Sequence, residues 1–307
     1  MTIFVTTSSF ASYSSAPLKL LDREGYEVEL NPTGRKLTSE ELLLLAKDSK
    51  GLIAGTEQYS KEVLSNMKKL KVISRLGVGI DNIDMDAARK SNIKIFTTQT
   101  SPSLAVAELT TGLMINLTRK IPLMNEEMRR GKWKKSMGSL LSNKTLGIIG
   151  LGTIGKQVVE ILKGFNMKIL AFDIKEDRAF SSTTEIDYCN LDKLLSNSDI
   201  VTIHLNASKE NSNLIDKSKL DLMKEDAFLI NTSRGEIIDE KALEEVLKSG
   251  KLGGVALDVF EKEPYDGPLK DIENVFLTPH IGSYAREIRI QMEIDAAENL
   301  ISGLNNE

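Results

Sequence analysis

The sequence holds one cysteine, Cys189, and two histidines, His204 and His280, in 307 residues. A lone thiol closes no internal disulfide, which excludes a small disulfide-stapled fold. Cys189 is expected to sit as a small, buried or half-buried apolar residue in a reducing compartment. Long apolar runs are missing as well: none reaches the roughly 18 residues of a membrane span. The N-terminus lacks a basic stretch followed by an apolar core and a cleavage site, and instead enters a strand-like run at residues 3–6. Neither charge predominates, since 40 basic and 44 acidic side chains leave a net charge of -4. That balance gives no general attraction to nucleic acid or to an anionic membrane, so any bound anion must be held by a local site. Short-period repeats and low-complexity tails are absent. What remains is a globular chain, 41% apolar and 27% charged, expected in the cytoplasm and long enough for two domains of ordinary size.

The stretch that is present and most informative runs from Lys144 to Asp173. Residues 145–149 (TLGII) form a short apolar run of strand length, followed at once by Gly150-Leu151-Gly152-Thr153-Ile154-Gly155. A helical spacing of Ile154, Val158, Val159, Ile161 and Leu162 comes next, and then a second strand at 167–172 that ends on Asp173. Gly150 suits the tight turn, Gly152 lets the backbone approach a pyrophosphate, and Gly155 lets the helix pack close to the strand. The first helical amides, at Thr153 and Ile154, are free to meet phosphate oxygens. Asp173 falls about where such a unit returns a carboxylate to a ribose diol. The unit therefore reads as dinucleotide-binding; a tight strand-helix turn with a solvated Asp173 would leave the three glycines unexplained together.

Elsewhere short apolar runs at 3–6, 26–30, 51–54, 72–75 and 93–96 alternate with helical patterns near 17–24, 38–46, 63–67 and 84–91. Gly25 lies where a helix C-cap belongs, and Thr38 with Glu41 makes a capping box. After Asp173 the alternation resumes, with helices at 191–197 and 240–248 and strands at 200–205, 227–231, 255–259 and 275–277. Such alternation predicts an α/β fold of parallel sheets with helices on both faces. A last helix at 285–301, with Ile288, Met292, Ala296 and Leu300 on one stripe, is expected to cross back to the N-terminal domain. From Pro102 to Asn116 the chain is apolar nearly all round, a character that places a helix between domains or in a subunit interface, with core packing inside one subunit as the competing reading. A helix near 122–130 leads to Trp133, a ring type enriched at interfaces. On the interface reading a two-fold homodimer is expected.

Open α/β sheets bind ligands beyond the carboxyl ends of their strands. Three ionisable groups occupy such places: Arg234 in NTSRGEIID, Glu263 in LDVFEKEP and His280 in LTPHIG. Singly each has an ordinary reading, as a loop arginine, a surface glutamate and a capping histidine; together they can converge on one cleft. Gly235 beside Arg234 permits an unusual backbone conformation and close approach. His204 is read as structural.

These motifs, GIIGLGTIG, NTSRGEIID, LDVFEKEP and LTPHIGSYAREIR, together resemble the D-isomer-specific 2-hydroxyacid dehydrogenases. RLGVGIDNID resembles the substrate loop of the phosphoglycerate dehydrogenase branch. The resemblance implies two Rossmann-like or flavodoxin-like parallel-sheet domains with the active site in the cleft between them. Residues 1–99 with 284–307 would form the substrate domain and 100–283 the dinucleotide-binding domain. It further implies NAD as cofactor, no metal, and a small 2-hydroxy or 2-oxo acid as substrate, with 3-phosphoglycerate, glyoxylate and hydroxypyruvate as candidates. His280 would be the acid-base group, since a hydride arriving at a carbonyl carbon leaves charge on oxygen that an imidazolium neutralises. Glu263 would favour the charged ring, and Arg234 would hold the carboxylate through its planar fork. The amides of Val78 and Gly79 would add an anion-binding concavity, Arg75 would meet a phosphate or second carboxylate, Asp258 would hold the nicotinamide amide, and Thr232 would lie near the ring. Two segments depart from the family pattern: Asn206-Ala207-Ser208 replaces a Pro-containing turn, and 98–104 (TQTSPSL) replaces a Pro-Gly version. Dinucleotide-sensing corepressors resemble the same family but carry further segments for peptide partners. Formate dehydrogenases have Gln at the Glu263 position, which argues against that activity. With so little chain after His280, neither those peptide-partner segments nor a regulatory domain of the kind some phosphoglycerate dehydrogenases carry is expected.

Overall fold

The computed structural model describes residues 1–305; Asn306 and Glu307, the end of the expected C-terminal segment, lie outside the described residues. The chain divides into two compact units, Met1–Pro102 together with the segment from Ser283, and Ser103–Gly282. The divisions thus fall slightly inside those expected at 99/100 and 283/284. Residues 100–102 stay with the first unit because the Thr100 amide donates to the Asp295 carboxylate at 2.7 Å.

The first unit contains β1 (Thr2–Val5), β2 (Glu27–Leu30), β3 (Gly51–Ala54), β4 (Val72–Arg75) and β5 (Lys94–Thr97). All pair in parallel, in the order β2-β1-β3-β4-β5. Side chains alternate across the pleat. Phe4, Leu52 and Ile73 pack on one face with Leu42, Val63 and Ala87, while Ile3, Val5, Ile53 and Val72 pack on the other with Leu21, Met292, Ala296 and Leu300. The last three belong to the helix Arg286–Asn305, so the C-terminal helix completes the core of the N-terminal sheet. Its contact is close: a Cβ on Gly51 would stand 2.9 Å from Leu300 Cδ1. The capping box forms, with the Glu41 amide donating to Thr38 Oγ1 and the Thr38 amide to Glu41 Oε2.

The second unit contains β6 (Thr145–Ile149), β7 (Lys168–Phe172), β8 (Ile186–Tyr188), β9 (Ile200–Ile203), β10 (Phe228–Asn231), β11 (Gly254–Leu257) and β12 (Val275–Leu277). Their order is β12-β11-β10-β9-β6-β7-β8, again parallel throughout. This is the doubly wound arrangement whose direction of travel reverses between β6 and β9, where ligands bind. The helix Ser103–Thr118 owes most of its all-round apolar character to core packing within this unit. Ala107, Leu113, Met114 and Leu117 meet Leu146, Ile148, Val158 and Val159. The Thr110, Thr111 and Thr118 hydroxyls donate to carbonyls one turn back. Only part of it, such as Leu104, faces outward. Beyond it Trp133, Met137 and Leu140 are 81%, 90% and 69% exposed.

The short α-helices Arg178–Thr184 and Lys217–Leu222 and the strand β8 have no counterpart among the elements expected from the sequence. Among the described residues no helix is long and apolar enough to cross a membrane.

Candidate active site

The glycine loop lies at the β6/β9 reversal. Gly150 has φ +93°, and a Cβ there would stand 2.7 Å from the His204 carbonyl oxygen at the end of β9. Any larger residue would both strain the turn and collide with the neighbouring strand's exit. Gly155 is required by packing, since its Cβ would lie 2.5 Å from the Gly150 oxygen. Gly152 differs: a Cβ there would meet nothing within 4 Å. The protein's own packing does not explain that glycine, whereas the approach of a pyrophosphate does. The helix Thr153–Leu162 has Gly152 as N-cap and no side chain capping its first amides, so the positive end of the helix is left for an anion.

Asp173 stands at the end of β7 with both oxygens anchored by backbone, the Leu151 amide donating to Oδ2 at 2.8 Å and the Lys175 amide to Oδ1 at 2.9 Å. The carboxylate is thereby fixed beside the glycine turn, and each oxygen keeps lone-pair capacity for a hydroxyl donor. His204 serves the scaffold. Its Nε2 lies 3.0 Å from Thr202 Oγ1, and burial pushes the ring down to about 3, so it is neutral. The unusual 206–208 stretch leads into a turn in which Ser208 Oγ and the Ser208 carbonyl accept from the Asn211 amide.

Arg234, Glu263 and His280 leave the carboxyl ends of β10, β11 and β12, three adjacent strands. Asn231, fully buried at the end of β10, bonds to the Ser233 amide and hydroxyl and to the Arg234 carbonyl, which fixes the turn that carries Arg234. Gly235 then lies against the next loop: a Cβ would come within 1.9 Å of the Phe260 carbonyl carbon. Its task is close approach, as expected; its φ is not in the left-handed region. The Glu263 side chain is set by a tight turn in which the Phe260 amide donates to Oε1 and the Phe260 and Tyr265 rings stack at 4.3 Å.

His280 Nδ1 lies 2.9 Å from Glu263 Oε2 and 3.1 Å from Oε1. The imidazole is 35% exposed and the carboxylate 21%, so the pair is half sunk in the protein with one edge of the ring open. His280 has φ +54°, a conformation that persists only where surroundings hold it. Those surroundings are Asp258, 1% exposed, whose Oδ1 accepts from Thr278 Oγ1 (2.6 Å) and the Ile281 amide (2.8 Å) and whose Oδ2 accepts from the Gly282 amide (2.8 Å). Burial pushes the Asp258 carboxyl up, against the lowering pull of these donors and of nearby His280. The sequence reading gave Asp258 a cofactor contact and missed this tether. A carboxylate immediately after a strand was its only signal. Thr232 is buried and meets Thr110 Oγ1 at 2.9 Å; because the Thr110 hydroxyl already donates to the Val106 carbonyl, Thr232 is the donor of the pair.

In the first unit the loop after β4 carries Arg75, Val78 and Gly79. Val78 is 53% exposed, and among the described residues neither the Val78 nor the Gly79 amide donates a hydrogen bond. Arg75 is only 8% exposed, lies under Gly77, and its NH1 donates to the Leu76 carbonyl. It lies beneath the loop that carries Val78 and Gly79.

Residues 111–282 match the family described as D-isomer specific 2-hydroxyacid dehydrogenase, NAD binding domain. A D-3-phosphoglycerate dehydrogenase of Methanocaldococcus jannaschii is 41% identical over 297 residues, 94% of this chain and 56% of that protein. The chain thus spans about half the length of that relative. A glyoxylate reductase of Thermofilum pendens is 41% identical over 280 residues, 87% of this chain and 82% of that one. Among solved structures, a Thermus thermophilus protein superposes with TM-score 0.89 at 33% identity, covering 100% of this chain and 98% of its own. The apo D-lactate dehydrogenase of Escherichia coli superposes with TM-score 0.85 at 29% identity, covering 100% and 97%.

Proposed function

The chain belongs to the D-isomer-specific 2-hydroxyacid dehydrogenase family, and from that premise we propose that it is an NAD-dependent oxidoreductase acting on a small D-2-hydroxy acid and its 2-oxo counterpart. The observation that carries the reading is the His280–Glu263 pair, tethered by Asp258, in the same unit as an uncapped glycine-loop helix with Asp173 beside it.

These residues fit the dinucleotide. Gly150, Gly152, Gly155 and the Thr153 and Ile154 amides would hold the pyrophosphate, and Asp173 the ribose diol. Thr232 and the remaining capacity of Asp258 would orient the nicotinamide end. When bound, NAD supplies or accepts the hydride. The rest falls to the chain. Because Nδ1 of His280 faces Glu263, Nε2 is the atom that gives a proton to the substrate oxygen during reduction and removes it during oxidation. Glu263 holds Nδ1 and so orients the ring. Arg234 offers a planar fork that suits a substrate carboxylate; in the first unit the Val78 and Gly79 amides offer an anion-binding concavity, with Arg75 under their loop. A phosphoglycerate dehydrogenase and a glyoxylate reductase among the relatives support 2-oxo acids of two or three carbons as the class.

We also infer a two-fold homodimer, supported by the exposed Trp133, Met137 and Leu140 side chains, and a cytoplasmic setting, supported by the single half-buried thiol. The test is a panel of glyoxylate, hydroxypyruvate, 3-phosphohydroxypyruvate and pyruvate with NADH. Consumption of NADH with formation of a D-2-hydroxy acid is expected for at least one, and failure with all four would refute the reading.

A further inference from the structure

One turn beside the glycine loop carries hydrogen-bonding groups that neither the fold nor the chemistry above uses. β9 leaves its sheet next to the glycine turn of β6: the His204 amide donates to the Ile149 carbonyl at 2.7 Å, and a Cβ on Gly150 would stand 2.9 Å from Leu205 Cδ2. The next residue, Asn206, is exposed. Its carbonyl accepts from Asn211 Nδ2 at 2.9 Å, and the Asn211 amide donates in turn to Ser208 Oγ and the Ser208 carbonyl, both at 3.2 Å. The turn is therefore braced from within. The Asn206 side-chain amide and backbone N–H, by contrast, make no hydrogen bond with a described residue. Where the family pattern has a proline, which offers neither group, this chain presents donors and an acceptor together.

The strand order β9-β6-β7 determines what lies near it. Asp173, the ribose anchor, stands at the end of β7 on one side of the glycine turn, and Asn206 follows β9 on the other, about 10 Å away at two strand spacings. That is the reach of an adenosine from its ribose diol to the far edge of its base. Ile174, next after Asp173 and 99% exposed, offers the base an apolar face. The other parts of the dinucleotide suit Asn206 less well. A phosphate has only acceptors and would leave the side-chain oxygen of Asn206 unmatched, the adenosine ribose is met by Asp173, and the nicotinamide end by Thr232 and Asp258. Adenine sets a donor, its 6-amino group, beside an acceptor, N7, which is the pattern an asparagine amide meets with two parallel bonds.

We infer that Asn206 recognises the adenine base of the cofactor, its side-chain oxygen accepting from the 6-amino group and its side-chain nitrogen donating to N7. The site lies within the second unit alone. It rests on the dinucleotide reading and deepens it, since the base, and not only the ribose and pyrophosphate, then determines what binds.

The experiment measures Kd by fluorescence titration for NADH and for its deamino form, in which hypoxanthine replaces adenine, with the purified protein and with Asn206→Ala. Exchange of the 6-amino group for a carbonyl leaves the pyrophosphate, both riboses and the nicotinamide unchanged, and sets an acceptor against the Asn206 oxygen. The native protein should bind NADH more tightly than the deamino form by about tenfold, about 1.4 kcal/mol. In Asn206→Ala the NADH affinity should fall by a similar factor while the deamino form changes little, so that the two converge. Asn206 is exposed and bonds the protein only through its carbonyl, so the Tm of the variant should stay near native. Asn206→Leu, which keeps the volume and lacks the amide, should give the same convergence and serves as the second reading. Equal native affinities overturn the proposal, as does a native preference that survives in either variant. Binding of neither dinucleotide by the native protein would instead remove the dinucleotide reading, and the role of Asn206 with it.

Discussion

His280 is placed by groups other than itself. Its backbone stands at φ +54°, and the residues on either side of it are bonded to one buried carboxylate, Asp258. Glu263, in the loop after β11, meets the ring at 2.9 Å. Glu263→Gln keeps the shape and removes the carboxylate that meets Nδ1, so reduction of the 2-oxo acid should slow by about tenfold or more while NADH affinity stays near native; an unchanged rate would separate Glu263 from the proton transfer. Asp173 sets a second expectation. With both its oxygens fixed by amides, a ribose 2′-phosphate would place like charges together at a cost on the order of several kcal/mol at about 4 Å and an effective dielectric near 20. Lys175 beside it offsets part of this. Catalytic efficiency with NADH should exceed that with NADPH by at least about tenfold, and equal efficiencies would contradict the assignment.

At the scale of elements, the strand–glycine–helix unit from β6 to β7 separates residues needed by the fold from those needed by a ligand. Gly155→Ala would drive a Cβ to 2.5 Å from a backbone oxygen, an overpacking that costs about 1–3 kcal/mol and should lower Tm. Gly152→Ala meets no protein atom within 4 Å, so its Tm should stay near native while NADH affinity drops by about tenfold or more. Calorimetry with and without NADH distinguishes the two, and a Gly152→Ala protein that binds NADH normally would sink the phosphate-loop reading. β3, β4, β6 and β12 lie on the residues expected from apolar periodicity; in β3, β4 and β6 two buried faces leave short apolar runs bounded by turn residues, and β12 is half-buried throughout. Arg178–Thr184 and Lys217–Leu222 were not legible that way. The first buries no residue and the second buries only Leu220, so neither has a stripe. Their starts are set by Asp177 and Asp216 accepting from the amides of Phe180 and Lys219, a cap signal that a search for periodicity passes over. The tether of Asp258 was hidden for another reason: its donors lie 20 to 24 residues further along the chain, and only the adjacency of β11 and β12 brings them together.

For the whole molecule, two parallel sheets built from a chain that leaves the first unit and returns to it make the N-terminal core depend on the C-terminal helix. The outward Trp133, Met137 and Leu140 side chains expose apolar surface that a second copy would cover. Sedimentation at micromolar concentration should therefore give twice the 34.0 kDa chain mass, and Trp133→Glu should shift the species toward the monomer. A native species of single-chain mass would exclude the dimer. Reduction turns on one proton donor, and its most direct test is His280→Ala. A general acid contributes typically about 10²- to 10⁴-fold, while NADH is held mainly by the glycine loop and Asp173. Single-turnover reduction of the preferred 2-oxo acid at neutral pH, with NADH affinity measured in parallel, should show a rate lower by about that factor and a Kd for NADH close to native. A variant that reduces the substrate at a near-native rate would contradict the assignment of His280 and the active site built around it.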